Sequence, residues 1–477
     1  MMRLLGRLPG LVMMVMGLWL SASGVIAAEQ RPDDLTYAPL EFSIEYPEKF
    51  RLDNGIQVYF KDDSELPLLD VSVVVGAGTA CVPNKKAGAA QLLAALLRSG
   101  GAGVWSAEQL DGQLEGLAAN VQVHASTYTT TFDLSLLRED ASHGLALLAA
   151  MVRQPRFDKQ RFEIARQQML ESIRRRGDHS GSLAQLLLMS RLYVGHPLAS
   201  FPRQHSVAAL NIADLKHDYQ RYFTPSATRI VITGALNSAE ARRWLNATFG
   251  DWHRDGVAHA LPTFSPTDPA GILLVHRPIP QTTIVLGEIG IEKDNPDLHA
   301  IQVMNYILGG GGFSSRLMRE IRSNRGLAYS VYSYFSIGRR LRGPFIAGCE
   351  TKNSSVAQVV NLLRQEMEQM RQQAISEQEL QQAKDSLINS FVFAFDDSHA
   401  LANRIMNQEM YHYPEHYLEE YRQRIAAVSV ADVQRVAQHY LHPDRQLMIL
   451  IGDREQLQPA LKTLGETVEE IELDSLL

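Results

Sequence analysis

The sequence predicts an α+β protein made of two homologous domains, each a mostly antiparallel sheet with helices packed on it, together forming a clamshell-like cleft. Three observations predict it. The chain has 477 residues, more than a single hydrophobic core normally serves, so two domains or more are expected. A string of residues recurs at a constant offset of 218, which marks an internal duplication. Each copy then runs through the same order of alternating and helical apolar patterns.

The duplication is clearest late in each copy. Val207-Ala208-Ala209-Leu210-Asn211-Ile212-Ala213-Asp214 aligns with Ile425-Ala426-Ala427-Val428-Ser429-Val430-Ala431-Asp432. The same offset pairs Gln220 with Gln438, Tyr222 with Tyr440, Pro225 with Pro443 and Gly234 with Gly452. Upstream, Phe157, Phe162, Ala165 and Met169 fall on Ile375, Leu380, Ala383 and Leu387. Strand patterns open each copy, at Gly55 to Asp62 and Leu69 to Val75 in the first and at Gly271 to Val275 and Thr282 to Leu286 in the second. Helical periodicity follows, then further alternation (Asn120 to Leu136; Tyr329 to Cys349), then two long helices and a short closing strand. These patterns place one domain at 45–252, a Pro- and Gly-rich linker at 253–270, a second domain at 271–455 and a tail at 456–477.

Composition narrows the class. A hydrophobic share of 45% with 21% charged residues fits a globular chain and argues against wholesale disorder. A net charge of -7 argues against nucleic acid as a partner, which would favour a basic face. Residues 1–28 carry Arg3 and Arg7 ahead of an apolar run from Leu8 to Leu20, then small residues at Val25 to Ala28. That is the pattern of a secretory signal peptide, with an uncleaved anchor as the alternative, and it predicts export, best matched by a bacterial periplasm. No later stretch is long and apolar enough to span a membrane. The two cysteines, Cys81 and Cys349, lie in different halves and are expected as free, buried thiols, with a disulfide left open.

The segment Ala87 to Leu97 reads as an apolar helix after a Gly-containing turn. In position and flanks it resembles the metal-binding helix of the pitrilysin/insulinase family of zinc peptidases. That family carries His-x-x-Glu-His there: two imidazoles one turn apart clasp zinc, and the Glu serves as general base. The corresponding positions here are Gln91, Ala94 and Ala95. Alanine offers no lone pair, and an amide is a poor ligand for zinc beside an imidazole. Glu171 stands where the resemblance puts the third ligand, and one carboxylate does not make a tetrahedral site. The plain alternative for Glu171 is a solvated acid on a charged helix.

His412-Tyr413-Pro414-Glu415-His416 spells the motif outright. Pro414 is expected in the first turn of a helix, with His412 left outside, so the two imidazoles would not share a face. His124 stands alone in a strand pattern and is expected to be packed or solvated.

The second half holds Gly309-Gly310-Gly311-Gly312-Phe313-Ser314-Ser315-Arg316-Leu317, then Arg319 to Arg322 and Arg325 to Ser330. This resembles the C-terminal domain signature of the same family, in which a Gly-rich loop opens a helix and an Arg and a Tyr reach the substrate across the cleft. Arg322 and Tyr329 have the required spacing of seven. A guanidinium and a phenol can hydrogen-bond a peptide carbonyl or an oxyanion. Gly310, Gly311 and Gly312 would allow close backbone approach. The resemblance implies a non-catalytic, substrate-binding subunit of an exported heteromeric zinc peptidase. Zinc is then expected only in a homologous partner subunit, this chain holding no cofactor of its own. Peptide would be gripped by strand addition, with Asn120 to Leu136 as the expected edge. Two alternatives stand beside it: a stand-alone peptide-binding or structural protein of the same fold, and an active peptidase with a relocated metal.

Overall fold

The computed structural model describes residues 43–256, 261–267, 269–395 and 397–477; the predicted signal segment lies outside them. Six strands form the first sheet: β1 (Glu48–Arg51), β2 (Gln57–Asp62), β3 (Leu68–Val75), β4 (Asn120–Ala125), β5 (Thr130–Leu137) and β6 (Thr228–Gly234), in the order β1-β2-β6-β3-β5-β4. Six more form the second: β7 (Gly271–His276), β8 (Gln281–Ile289), β9 (Ala328–Phe335), β10 (Pro344–Lys352), β11 (Leu447–Gly452) and β12 (Val468–Ile471), in the order β12-β7-β11-β8-β10-β9. Five positions correspond through the repeat, β2-β6-β3-β5-β4 with β7-β11-β8-β10-β9, while the outer position is taken by β1 in the first sheet and by the C-terminal β12 in the second. Only β2 with β6, and β7 with β11 and β12, run parallel; the other pairs are antiparallel.

The helices that matter for the site are α1 (Ala89–Ser99), α2 (Lys159–Arg174), α3 (Ser180–Leu192), α4 (Ile212–Tyr222), α5 (Leu298–Asn305), α6 (Glu377–Ser390), α7 (Ser398–Met410) and α8 (Val430–Tyr440). The duplication extends to their caps. Asn211 accepts from the Asp214 amide at the start of α4, and Ser429 accepts from the Asp432 amide at the start of α8. In both, the aspartate carboxylate returns a bond to the cap amide, which satisfies two otherwise orphaned donors.

Strand alternation decides what each sheet face meets. On one face of the first sheet Leu69, Val71, Val73 and Val75 join Phe132, Leu134, Ile230 and Ile232 in a core closed by Leu92, Leu96 and Leu97 of α1. The opposite face carries Ser72, Asp133 and Thr233, and a helix of the second repeat covers it. His399 of α7 touches the hydroxyls of Ser72 and Thr233, and Glu409 at the far end of α7 accepts from Tyr59 of β2 at 2.8 Å. The second sheet receives the reciprocal helix. Leu183, Ala184, Leu187 and Leu188 of α3 pack on Val285, Ile346, Ile449 and Ile451. The first residues of α3 and α7, 180 and 398, stand one repeat of 218 apart. Each repeat thus lends the same helix to the other's sheet.

Two expectations need correction here. The segment 456–477, separated in the sequence as a tail, is part of the second unit: it holds most of a helix (Arg454–Leu464), the edge strand β12, and Leu476, buried against the second sheet. Parallel pairing with β7 supplies the hydrogen bonds that hold it. The expected edge at Asn120 to Leu136 is only half an edge, because β5 lies between β3 and β4 and leaves β4 alone at the margin. Cys81 and Cys349 are both buried and unpaired. Burial pushes the Cys349 thiol up to about 12, so it stays protonated and unreactive.

Candidate functional site

Helix α1 is amphipathic, with Leu92, Leu93, Leu96 and Leu97 turned into the core. It packs against α2, which carries Glu171. Gln91 is half-buried, and its Oε1 meets no hydrogen-bond partner among the described residues. Ala94 is 2% exposed, and Ala95 packs its methyl group against the same core. Glu171 points outward, 57% exposed, and pairs with Arg174 at 3.0 Å. It borders a cavity of about 500 Å³ shared with Arg175, Arg176 and His179. One amide oxygen, two methyl groups and a carboxylate already paired with a guanidinium do not fit a zinc ion.

His412 and His416 do not replace the missing ligands. Both adopt left-handed backbone, with φ 55° and 61°. The following helix begins only at Tyr417, so Pro414 lies in the turn before it, which corrects the expectation that this proline sits in the first helical turn. The backbone between the two imidazoles is not helical, so they lack the one-turn spacing of a helical metal pair. His124 lies on β4, more than half exposed and 3.6 Å from the Asp133 carboxylate.

The second-half segment is built differently from a simple loop before a helix. Helix α5 widens into a π-helical turn over Tyr306–Gly310, and the glycine run terminates it. A Cβ on Gly310 would stand 2.6 Å from the Asn305 amide nitrogen, and one on Gly311 would stand 2.7 Å from the Tyr306 carbonyl oxygen. Gly312 has φ +57°, a conformation that glycine adopts without strain. The chain then makes one tight turn and enters a wide helical segment, Met318–Asn324, that carries Arg322. Arg316 fixes this segment to α6 through a two-pronged ion pair with Glu379, at 2.8 and 2.9 Å.

Arg322 and Tyr329 meet. The Nη1 of Arg322 donates to the Tyr329 main-chain oxygen at 2.7 Å, and the guanidinium carbon lies 4.4 Å from the centre of the Tyr329 ring. Tyr329 is the second residue of β9, the edge of the second sheet, and is 82% exposed. Below it lies a cavity of about 370 Å³ that also touches Gly181, at the start of the exchanged helix α3. Sequence reading missed Phe313, whose ring lies 4.6 Å from the same guanidinium carbon. The only signal was its place inside the Gly-rich motif, where an aromatic residue has no core-facing periodicity to announce it.

The sequence family described as insulinase, peptidase family M16, matches residues 58–201, and the peptidase M16 inactive domain matches residues 209–387. A non-peptidase homologue, YmxG of Helicobacter pylori, is 27% identical over 342 residues, covering 70% of this chain and 77% of its own. YmxG of Bacillus subtilis, described as an uncharacterized zinc protease, is 22% identical over 408 residues, covering 84% and 97%. The crystal structure of a peptidase M16 inactive domain from Pseudomonas fluorescens superposes with a TM-score of 0.77 at 26% identity, covering 85% of this chain and 98% of that one. With both repeats matched in sequence and most of the chain matched in three dimensions, the chain belongs to the insulinase family of peptidases, M16.

Proposed function

We propose that this chain is the peptide-binding, non-catalytic subunit of an exported heteromeric zinc peptidase that acts on peptides or unfolded segments. One observation carries the reading. The chain keeps Arg322, in the segment Met318–Asn324, bonded to Tyr329 on the exposed edge strand β9, while its first-half helix offers Gln91, Ala94 and Ala95 in place of ligands and base. A guanidinium and a phenol at an open edge suit an extended peptide, and they need a metal-bearing partner to do more than hold it. The description of one relative as a zinc protease and another as a non-peptidase homologue supports two kinds of subunit within the family. Export follows from the pattern of residues 1–28, and no helix among the described residues is long and apolar enough to cross a membrane.

The test is capture from the exported fraction, with the tagged full chain as bait, followed by a peptidase assay of the captured complex. A zinc-bearing M16 partner is expected, and its activity should fall at least tenfold with Arg322→Ala or Tyr329→Ala. Recovery only as a lone homodimer, or full activity with both substitutions, would overturn the proposal.

A further inference from the structure

The two equivalent hairpins, β4–β5 and β9–β10, meet at their tips. Tyr128, in the turn of the first, lies against Arg340, in the loop of the second, with 5.4 Å from ring centre to guanidinium carbon. Tyr411, just past the end of α7, completes the contact. Its ring centre is 6.1 Å from that of Tyr128, 5.6 Å from the Arg340 guanidinium carbon and 5.1 Å from that of Arg339. Tyr411 is buried, and both arginines are exposed. Strands β4 and β9 are the open edges of the two sheets, and both run towards this meeting point.

The loop that carries the arginines is held by its main chain. The Gly338 and Gly343 amides both donate to the Ile291 carbonyl, at 3.1 and 2.8 Å, and the Tyr193 hydroxyl donates to the Arg342 carbonyl at 2.6 Å. A Cβ on Gly338 would fall 1.6 Å from the Leu341 carbonyl oxygen, so the turn closes in this form only with glycine there. Two guanidiniums are thus presented beside one ring, and neither forms an ion pair among the described residues. Asp294, in the neighbouring turn, is engaged by Lys293, and Glu292, opposite Gly338, is bonded to neither arginine. Like charges fixed side by side favour an added anion, and guanidiniums laid on rings keep their N–H edges for a carboxylate.

The surroundings select the kind of anion. No exposed large apolar side chain stands on this loop or on the β4–β5 turn, as a membrane-binding patch would need. The net charge of -7 opposes nucleic acid. A peptide added to either open edge, in contrast, is led to the arginines. The eight residues of β9 span about 26 Å between the end that bears Tyr329 and this loop.

We propose that Arg339 and Arg340, laid on Tyr128 and Tyr411, receive acidic side chains of an extended peptide seated along an open sheet edge. This rests on the peptide-binding function proposed above and adds to it a substrate class: segments with Asp or Glu about eight residues from the part at Tyr329.

The experiment measures binding of the full chain, at low salt, to two fluorescent extended peptides that differ only in carrying two Glu or two Gln at each end. The wild type should bind the Glu peptide about fivefold more tightly, and added salt should narrow the gap. Against a net charge of -7, a general field would favour the Gln peptide instead. Arg339→Gln with Arg340→Gln should erase the preference, leave the Gln peptide bound as before and leave the melting temperature in place, since both side chains are exposed. Arg339→Lys with Arg340→Lys should keep most of the preference, because the charge stays. Arg51→Gln with Lys462→Gln, which removes the same charge from exposed positions elsewhere, should change nothing. If the wild type binds both peptides equally, the acidic site is wrong and the peptide-binding function stands. If the Arg51 and Lys462 pair abolishes the preference as fully as the Arg339 and Arg340 pair, the site is likewise overturned. If the wild type binds neither peptide, the function falls as well.

Discussion

Nε2 of His399 lies 2.9 Å from the hydroxyl of Ser72, joining the exchanged helix of the second repeat to the sheet of the first. Ser72 donates onward to Asp133 at 2.6 Å, and Thr233 lies 2.8 Å from the other ring nitrogen. A neutral imidazole satisfies this chain completely, as a donor to Ser72 and an acceptor from Thr233. Burial holds the His399 imidazole below its ordinary 6.5, against the pull of Asp70, Asp133 and Asp397. A histidine depressed in the folded state opposes folding once it is protonated in the unfolded chain. Its share of stability is therefore complete above about pH 6.5 and is lost progressively as pH falls below that. Unfolding free energy measured in urea at pH 7.5 and pH 5.5 should drop in the wild type and drop less in His399→Gln. Equal drops would mean that this contact is not the sensitive one.

Ser72→Ala at neutral pH tests the same contact by deletion. The substitution leaves Asp133 and the His399 ring without their shared hydroxyl in a buried place. A loss of about 1–3 kcal/mol is expected from urea denaturation, since unpaired buried polar groups carry most of the cost. A change within the usual scatter of surface substitutions would show that water replaces the hydroxyl freely.

The reciprocal helix is held by apolar packing. Leu188 of α3 is fully buried against the second sheet, and a Cβ on Gly287 of β8 would fall 2.5 Å from its Cδ2 and 2.9 Å from the Phe345 carbonyl oxygen. Leu188→Ala should cost about 3 kcal/mol by opening a cavity. Gly287→Ala should cost about 1–3 kcal/mol by overpacking. Neither loss should vary between pH 7.5 and 5.5, in contrast to the loss expected at His399. Paired denaturation curves at the two pH values distinguish the apolar helix exchange from the polar one.

Arg316 and Glu379 hold the Gly-rich segment in place. The Arg316 guanidinium beside Glu379 draws its carboxyl down to about 2 from an ordinary 4.5. A depressed carboxylate stabilises fully above pH 4.5 and stops doing so as pH falls towards 2. Glu379→Gln should cost about 2 kcal/mol at neutral pH, since Arg316 is left with a neutral partner. It should also weaken peptide binding through Arg322, which shares the anchored segment. Unchanged melting would mean that the ion pair is no more than a surface contact.

How much of this the sequence reveals depends on the kind of physics involved. The repeat is visible because both copies need the same cap at the same turn, as Asn211 and Ser429 show. Strands β3 and β8 are visible because the core-facing side leaves a pattern in each, the alternation Val71, Val73, Val75 in β3 and the short apolar run Ile284-Val285-Leu286 in β8. The exchange of α3 and α7 is not visible, because helical periodicity reports that a face is buried and not which sheet buries it. Strand β12 reads as a tail because Glu469 and Glu470 break its apolar pattern, as charge often does on an edge strand. At the site, the loss at Gln91, Ala94 and Ala95 and the spacing of Arg322 and Tyr329 are legible as residue types. Their packing with Phe313 depends on a turn whose geometry Gly312 permits and the sequence does not specify.

The donor set at α1 makes a prediction about metal. The purified wild-type chain should hold far less than one equivalent of zinc by elemental analysis, because Gln91 alone offers an oxygen on that helix face and the other two positions are methyl groups. Gln91→His with Ala95→His would place two imidazoles one helical turn apart on a helix packed against the one bearing Glu171. That double variant should gain zinc if the Glu171 carboxylate can leave Arg174, an exposed pair that costs under about 1 kcal/mol to break. Adding Ala94→Glu should destabilise the chain, since the site is 2% exposed and a charge there would be desolvated. Stoichiometric zinc in the wild type would mean that ligands other than these assemble a site, and the non-catalytic role would have to be abandoned.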